Sequence, residues 1–218
     1  MKNFLKGSLT LAAVVLVAGQ AGAITINSSV GGNAWAGQNY LTFDEVIPAN
    51  VVLTPDAQAL TGNIGGVAAA PFLTGNNNLY FGSVYTGADN TRYITTGKFP
   101  TGKIEFNFAS TQTYFGLLWG SVDRYNNLEF LLDGERVALL TGVDALSPAN
   151  GYQGDGGSTY VNISGIAFNQ VVATSRDAYA FELDNVAYGV GVPDGGTTIA
   201  LLGFAVVGLA GLRRKLSM

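Results

Sequence analysis

Residues 103–134 read KIEFNFASTQTYFGLLWGSVDRYNNLEFLLDG, and the order of apolar and polar residues in this stretch decides the fold class. Ile104, Phe106 and Phe108 alternate with Lys103, Glu105 and Asn107, the period of two that puts successive side chains on opposite faces of a strand. The run TYFGLLWGSV (113–122) is nearly continuous in apolar residues, as a strand covered on both faces would be. NLEFLLD (127–133) and ERVALLT (135–141) are two apolar runs meeting at Asp133-Gly134, the dipeptide of a tight hairpin turn.

Working outward, similar runs recur: AITINSSV (23–30), YLTFDEV (40–46), NVVLT (50–54), NLYFGSVYT (78–86), TRYITT (91–96), STYVNISG (158–165), AFNQVVATS (167–175) and YAFELDNVAYG (179–189). In the last, Tyr179, Phe181 and Leu183 share one face, and Ala180, Glu182 and Asp184 the other. The segments TGNIGGVAAAPFLTGNNN (61–78) and SPANGYQGDGGST (147–159) have the composition of long surface loops. No stretch within 24–191 shows capped helical periodicity, and no repeat or linker divides it. The expectation is one all-β domain over residues 24–191, an antiparallel two-sheet β-sandwich of jelly-roll type.

The composition narrows the chemistry. The 218 residues contain neither Cys nor His, which removes disulfides, thiolate nucleophiles, His-ligated zinc and the Ser-His-Asp triad. Five of the eleven basic residues lie in the terminal segments, so residues 24–191 hold six basic against fourteen acidic side chains, a net charge of −8. A body that acidic repels phosphate backbones, and nucleic acid is excluded as a partner.

Both ends carry address signals. Residues 1–23 have basic Lys2 and Lys6, an apolar run from Leu9 to Ala18 and the small-residue exit Ala21-Gly22-Ala23, the pattern of a secretory signal peptide cut by signal peptidase after Ala23. An uncleaved anchor is the alternative. At the other end, residues 197–212 are an apolar run of about 24 Å as helix, slightly short of the hydrocarbon thickness. Its expected form is a single transmembrane helix, with Arg213, Arg214 and Lys215 of the basic tail 213–218 snorkelling at its end. Positive residues stay cytoplasmic, which leaves residues 24–191 outside.

The tail, residues 192–218, combines a Pro-containing motif, a short spacer, an apolar helix and a basic cluster. In that order these features resemble the PEP-CTERM sorting signal, with Val192-Pro193-Asp194-Gly195-Gly196 similar to its Val-Pro-Asp variant. The resemblance implies processing by exosortase, a membrane-embedded protease of Gram-negative bacteria that make exopolysaccharide. The segments YFGLLWGSVDRYNNLEFLLDG, YVNISG and AYAFELDNVAYG, from about Phe72 onward, resemble a family of exosortase-dependent surface proteins in the same group. That likeness implies export to the cell surface or matrix by way of an inner-membrane intermediate, and a β-rich build; it brings no catalytic residues. The physical reading agrees with it: Pro193 interrupts any helix from upstream, and Gly195-Gly196 leaves backbone open to a protease at the membrane surface.

Within the domain, Trp119, Asp123, Arg124 and Tyr125 gather where an apolar strand gives way to a loop, an arrangement suited to stacking and orienting sugar rings. Trp119 also fits a core position after Leu117-Leu118. Asp44 and Glu45 near one end of the domain, with Glu182, Asp184 and Asn185 near the other, supply oxygens for a structural Ca²⁺, which takes six to eight hard ligands. A solvated strand face, with Asn185 in a turn, accounts for the same residues. No carboxylate pair is marked for glycoside hydrolysis, so the expectation is a non-enzyme without a cofactor, structural or adhesive in an exopolysaccharide or biofilm layer. A carbohydrate-binding module is the alternative, and a glycoside hydrolase a weaker one.

Overall fold

The computed structural model describes residues 23–35, 38–75 and 86–191. The signal-peptide reading of residues 1–23, apart from Ala23, and the whole of the tail 192–218 lie outside the described residues. So does most of the strand expected at 78–86. Among the described residues no helix is long and apolar enough to cross a membrane.

The chain runs through β1 (Thr25–Ser29), β2 (Asn39–Leu41), β3 (Val51–Leu53), β4 (Gln58–Thr61), β5 (Phe72–Leu73), β6 (Gly87–Ala88), β7 (Arg92–Thr96), β8 (Lys103–Trp119), β9 (Asn126–Leu132) and β10 (Glu135–Thr141). A single helical turn, α1 (Gly142–Ala145), precedes β11 (Thr159–Ser175) and β12 (Phe181–Gly189). All pairings between these strands are antiparallel, so the all-β expectation holds.

The division into two sheets does not hold as expected. Ten strands share one hydrogen-bonded sheet in the order β10-β9-β11-β8-β12-β7-β4, with β1 on β11, β2 on β12 and β3 on β8, and β5 and β6 form a separate pair. The cause lies in two strands of 17 residues each, β8 and β11. Each joins two runs that read as separate strands in the sequence. Strands this long must bend to stay within a small domain. β11 does so around Gly165, at φ +86°, where its pairing with β8 shifts register between Ser164 and Phe168. Beyond the bend, Gln170 to Ser175 pair with β9 instead. One continuous sheet thus wraps around the core.

That core is aromatic. Ile104, Phe106, Phe115, Leu117 and Trp119 of β8 meet Phe130 of β9, Phe168 of β11 and Phe181 of β12. Phe115 packs edge-on to Phe106 (centroids 5.4 Å) and Phe130 (5.9 Å), and Phe130 to Phe168 (5.0 Å), the quadrupole-favoured geometry. The far half of β8 is covered on its other face too. There Tyr114 and Leu118 pack with Tyr160, Leu73 and Ala187, and Trp35 stacks on the Tyr114 ring at 5.0 Å.

The Asp133-Gly134 turn forms as expected. Asp133 and Gly134 have φ of +52° and +85°, the two left-handed positions of the turn that matches strand twist, and Glu135 pairs with Leu132.

Candidate functional site

The two long loops read from the sequence converge on one cleft of about 240 Å³. Residues 63–69 form one wall, closed on themselves by a bridge between Ile64 and Ala68, and Gly151 and Gln153 of the other loop line the opposite side. Ser121, Asp123, Tyr179 and Glu182 complete it.

Glu182 is the buried anchor of the cleft, 3% exposed. Its Oε1 accepts from the Ala69 N–H at 2.9 Å and its Oε2 from the Ser121 hydroxyl at 2.8 Å, so this side chain holds the 63–69 loop in place. Burial raises its pKa to about 7, against the lowering effect of those two donors. Asp123 accepts from the Tyr125 hydroxyl at 2.8 Å, and burial raises its carboxyl while Tyr125 and Arg124 oppose the rise. The Tyr125 hydroxyl is in turn pushed up, by burial first and by Asp123 next. Tyr179, half exposed, offers a ring face at the rim.

Of the residues singled out for sugar binding, Asp123 lines the cleft, Tyr125 stands bonded to it and Arg124 is exposed. Trp119 is the correction. It has no exposed surface and stacks on Phe181, because its position on β8 faces the aromatic core. Tyr179, Ser121 and Glu182 were not singled out for this role. Their only sequence signal is proximity to loops that come together in three dimensions.

Of the five residues considered for calcium, Asp44 lies near Asp184, while Glu182 and Asn185 are taken up by other contacts. Glu182 serves the cleft. Asp184, two positions on and 1% exposed, faces Asp89, with Asp44 near enough to raise its proton affinity. Glu45 is exposed and its backbone carbonyl accepts from the Arg92 guanidinium at 3.1 Å. Asn185 is buried at φ +50°, its carbonyl accepting from the Tyr160 hydroxyl at 2.9 Å. The face of β12 that carries Glu182 and Asp184 is therefore buried, not solvated. Among the described residues no three acidic side chains stand as a ready metal-ligating group.

At the end of the domain, the Gly191 N–H donates to Thr113 Oγ1 at 2.7 Å, tying the exit of the chain to β8. From that residue onward the chain matches a known pattern: residues 191–216 fit the family model described as the VPDSG-CTERM motif. Gly195 stands where the motif's name has Ser. No curated protein matches the chain. Among solved structures, the cleaved adhesin domain of Lys-gingipain from Porphyromonas gingivalis is similar over 71% of this chain and 99% of that one, at 11% identity and a TM-score of 0.38. The chain therefore ends in a PEP-CTERM-like sorting tail, which suggests a secreted or cell-surface protein.

Proposed function

We propose that this is an exported surface protein, structural or adhesive within an exopolysaccharide layer, whose tail is processed by exosortase. Signal peptidase removes residues 1–23, the β domain folds outside the cytoplasm, and the tail holds it at the inner membrane until a cut near Pro193 releases it. The protein carries out no chemistry of its own. The observation that carries this reading is the sorting motif over residues 191–216. The positions of the strands support it: β1 opens at Thr25 and β12 ends at Gly189, so both cuts fall outside the sheet and leave its pairing whole. The test is intact-mass analysis of the protein from its host, with protease shaving of whole cells. Loss of both terminal segments and a shaved β domain are expected; a retained tail or a protected domain refutes the reading.

A second reading, a carbohydrate-binding module, draws on the cleft. Its carboxylates, the Ser121 hydroxyl, the Gln153 amide and the exposed Tyr179 ring are the mix of hydrogen-bonding groups and aromatic surface that fits a polyhydroxylated ring. Binding to the host's own exopolysaccharide is measured for the unaltered chain and for Tyr179→Ala. Retention of the unaltered chain with tenfold weaker retention of the variant is expected; equal retention of both removes this reading.

A further inference from the structure

The two long strands turn back at one end of the domain, and both described ends of the chain lie there. Phe106 and Phe115 would stand about 30 Å apart on a straight strand, yet their ring centroids are 5.4 Å apart. β8 therefore doubles back between them, and Ala109, Ser110 and Thr111 of the bend are exposed. β11 bends beside it, with Gly165 and Ala167 exposed and Phe168 paired with Gln112. The Ala23 carbonyl lies against Gly165, so close that a Cβ there would overlap it. Gly191 leaves from the same place, its N–H on Thr113. The cleft is at the opposite end. Ser121 and Asp123 follow the last residue of β8, and Leu183, next to Glu182, pairs with Trp119. From Tyr114, paired with Gly189, up to Trp119 is about 17 Å of strand.

The end with the bends also differs in chemistry from the acidic body. Residues 23–32, 106–114, 164–171 and 185–191 contain no Asp, Glu, Lys or Arg. The hairpin beside β11 brings Asp133, Glu135 and Arg136 to its flank, where Asn169 holds Asp133. What this end exposes is apolar: Val190 is 70% and Ile24 38% exposed. From Gly191 to the apolar run that begins at 197, the chain reaches at most about 20 Å when fully extended. A tail inserted there keeps the bends nearer to the bilayer than the cleft. Anionic headgroups repel acidic faces, whereas an uncharged end with apolar side chains enters the headgroup layer without burying a charge.

We propose that the end of the domain formed by the two bends is a membrane-facing surface. While the tail is in place it rests on the lipid headgroups, with Ile24 and Val190 against lipid and the cleft turned away from the membrane. The surface depends on the reading of residues 197–212 as a membrane span. Its consequence for the cleft is orientation: the cleft opens outward, to whatever lies beyond the membrane.

The chain is exported in a host without exosortase, so that the tail is kept, then purified in detergent and returned to vesicles of phosphatidylethanolamine and phosphatidylglycerol. Because the chain has no Cys, a single fluorophore is attached at Thr111→Cys on the bend, or at Val143→Cys on α1, 59% exposed and beside Asp123 at the cleft end. Lipids with a nitroxide on the headgroup are expected to quench the label at Thr111→Cys at least threefold more than that at Val143→Cys. Adding Ile24→Asp and Val190→Asp to Thr111→Cys is expected to halve this quenching while the chain still floats with the vesicles. A chain that does not float removes the membrane-span reading and this surface with it. A chain that floats but is quenched equally at both labels overturns the membrane-facing surface alone, as does undiminished quenching in the Ile24→Asp, Val190→Asp variant.

Discussion

Trp119 and Phe181 stack nearly face to face, ring centroids 4.3 Å apart and planes 22° from parallel, with neither ring exposed. The pair joins the end of β8 to the start of β12 and so closes the core beneath the cleft. Trp119→Ala removes the largest buried side chain and is expected to cost about 3–5 kcal/mol in urea unfolding, a global loss. Tyr179→Ala, at the exposed rim, is expected to stay within about 0.5 kcal/mol of the unaltered chain. A mild Trp119→Ala would show that the aromatic core is not the main source of stability.

Tyr114 donates to Asn162 Oδ1 at 2.6 Å across β8 and β11 and accepts from the Trp35 N–H at 3.2 Å. Tyr114→Phe leaves both partners short and should cost about 1–3 kcal/mol. Burial pushes the Tyr114 hydroxyl up to about 12, above its ordinary value. Because the folded state keeps the proton that the unfolded state gives up near pH 10, this stabilisation is complete below that pH and fades as the pH rises towards 12. Urea midpoints at pH 9 and pH 11 should therefore fall less for Tyr114→Phe than for the unaltered chain. An equal fall in both would assign the alkaline limb to other groups.

The hairpin turn gives a purely conformational test. A Cβ added at Gly134 meets no atom within 4 Å, so the effect of Gly134→Val comes from its φ of +85° alone. The expected cost is about 1–2 kcal/mol, read from thermal or urea unfolding. Asn169 reinforces the turn, accepting from the Asp133 N–H at 3.0 Å and donating to Asp133 Oδ1 at 2.8 Å. Asn169→Ala should therefore weaken protection of the Asp133 amide from hydrogen exchange while sparing β12.

Glu182 tethers the 63–69 loop through the Ala69 N–H, and Asn63 Oδ1 adds a bond to the Ala70 N–H at 2.8 Å. Glu182→Ala is expected to speed hydrogen exchange at Ala69 by tenfold or more and to open the loop to thermolysin. Protection unchanged from the unaltered chain would show that the internal bonds of the loop suffice to hold it.

Local pattern carried the strand content and the turn. Alternation at Ile104, Phe106 and Phe108 reports a strand because side-chain direction repeats every two residues, and Asp133-Gly134 reports a hairpin because few residues accept left-handed backbone. The same logic missed β4, since Gln58–Thr61 is a short edge strand whose mixed pattern has no strong period.

By itself, then, the sequence determined the all-β class, the tight turn, the acidic body and the sorting motif after Gly191, since each is written in adjacent residues. Only the tertiary structure decided that four of the expected strands are two long bent ones, that the second face of β12 is covered, that Trp119 belongs to the core, and that Asp184 meets Asp89. Those are facts about which distant segments come to lie together. Periodicity along one strand is silent on them, because it specifies that a side chain points to one face and not what covers that face.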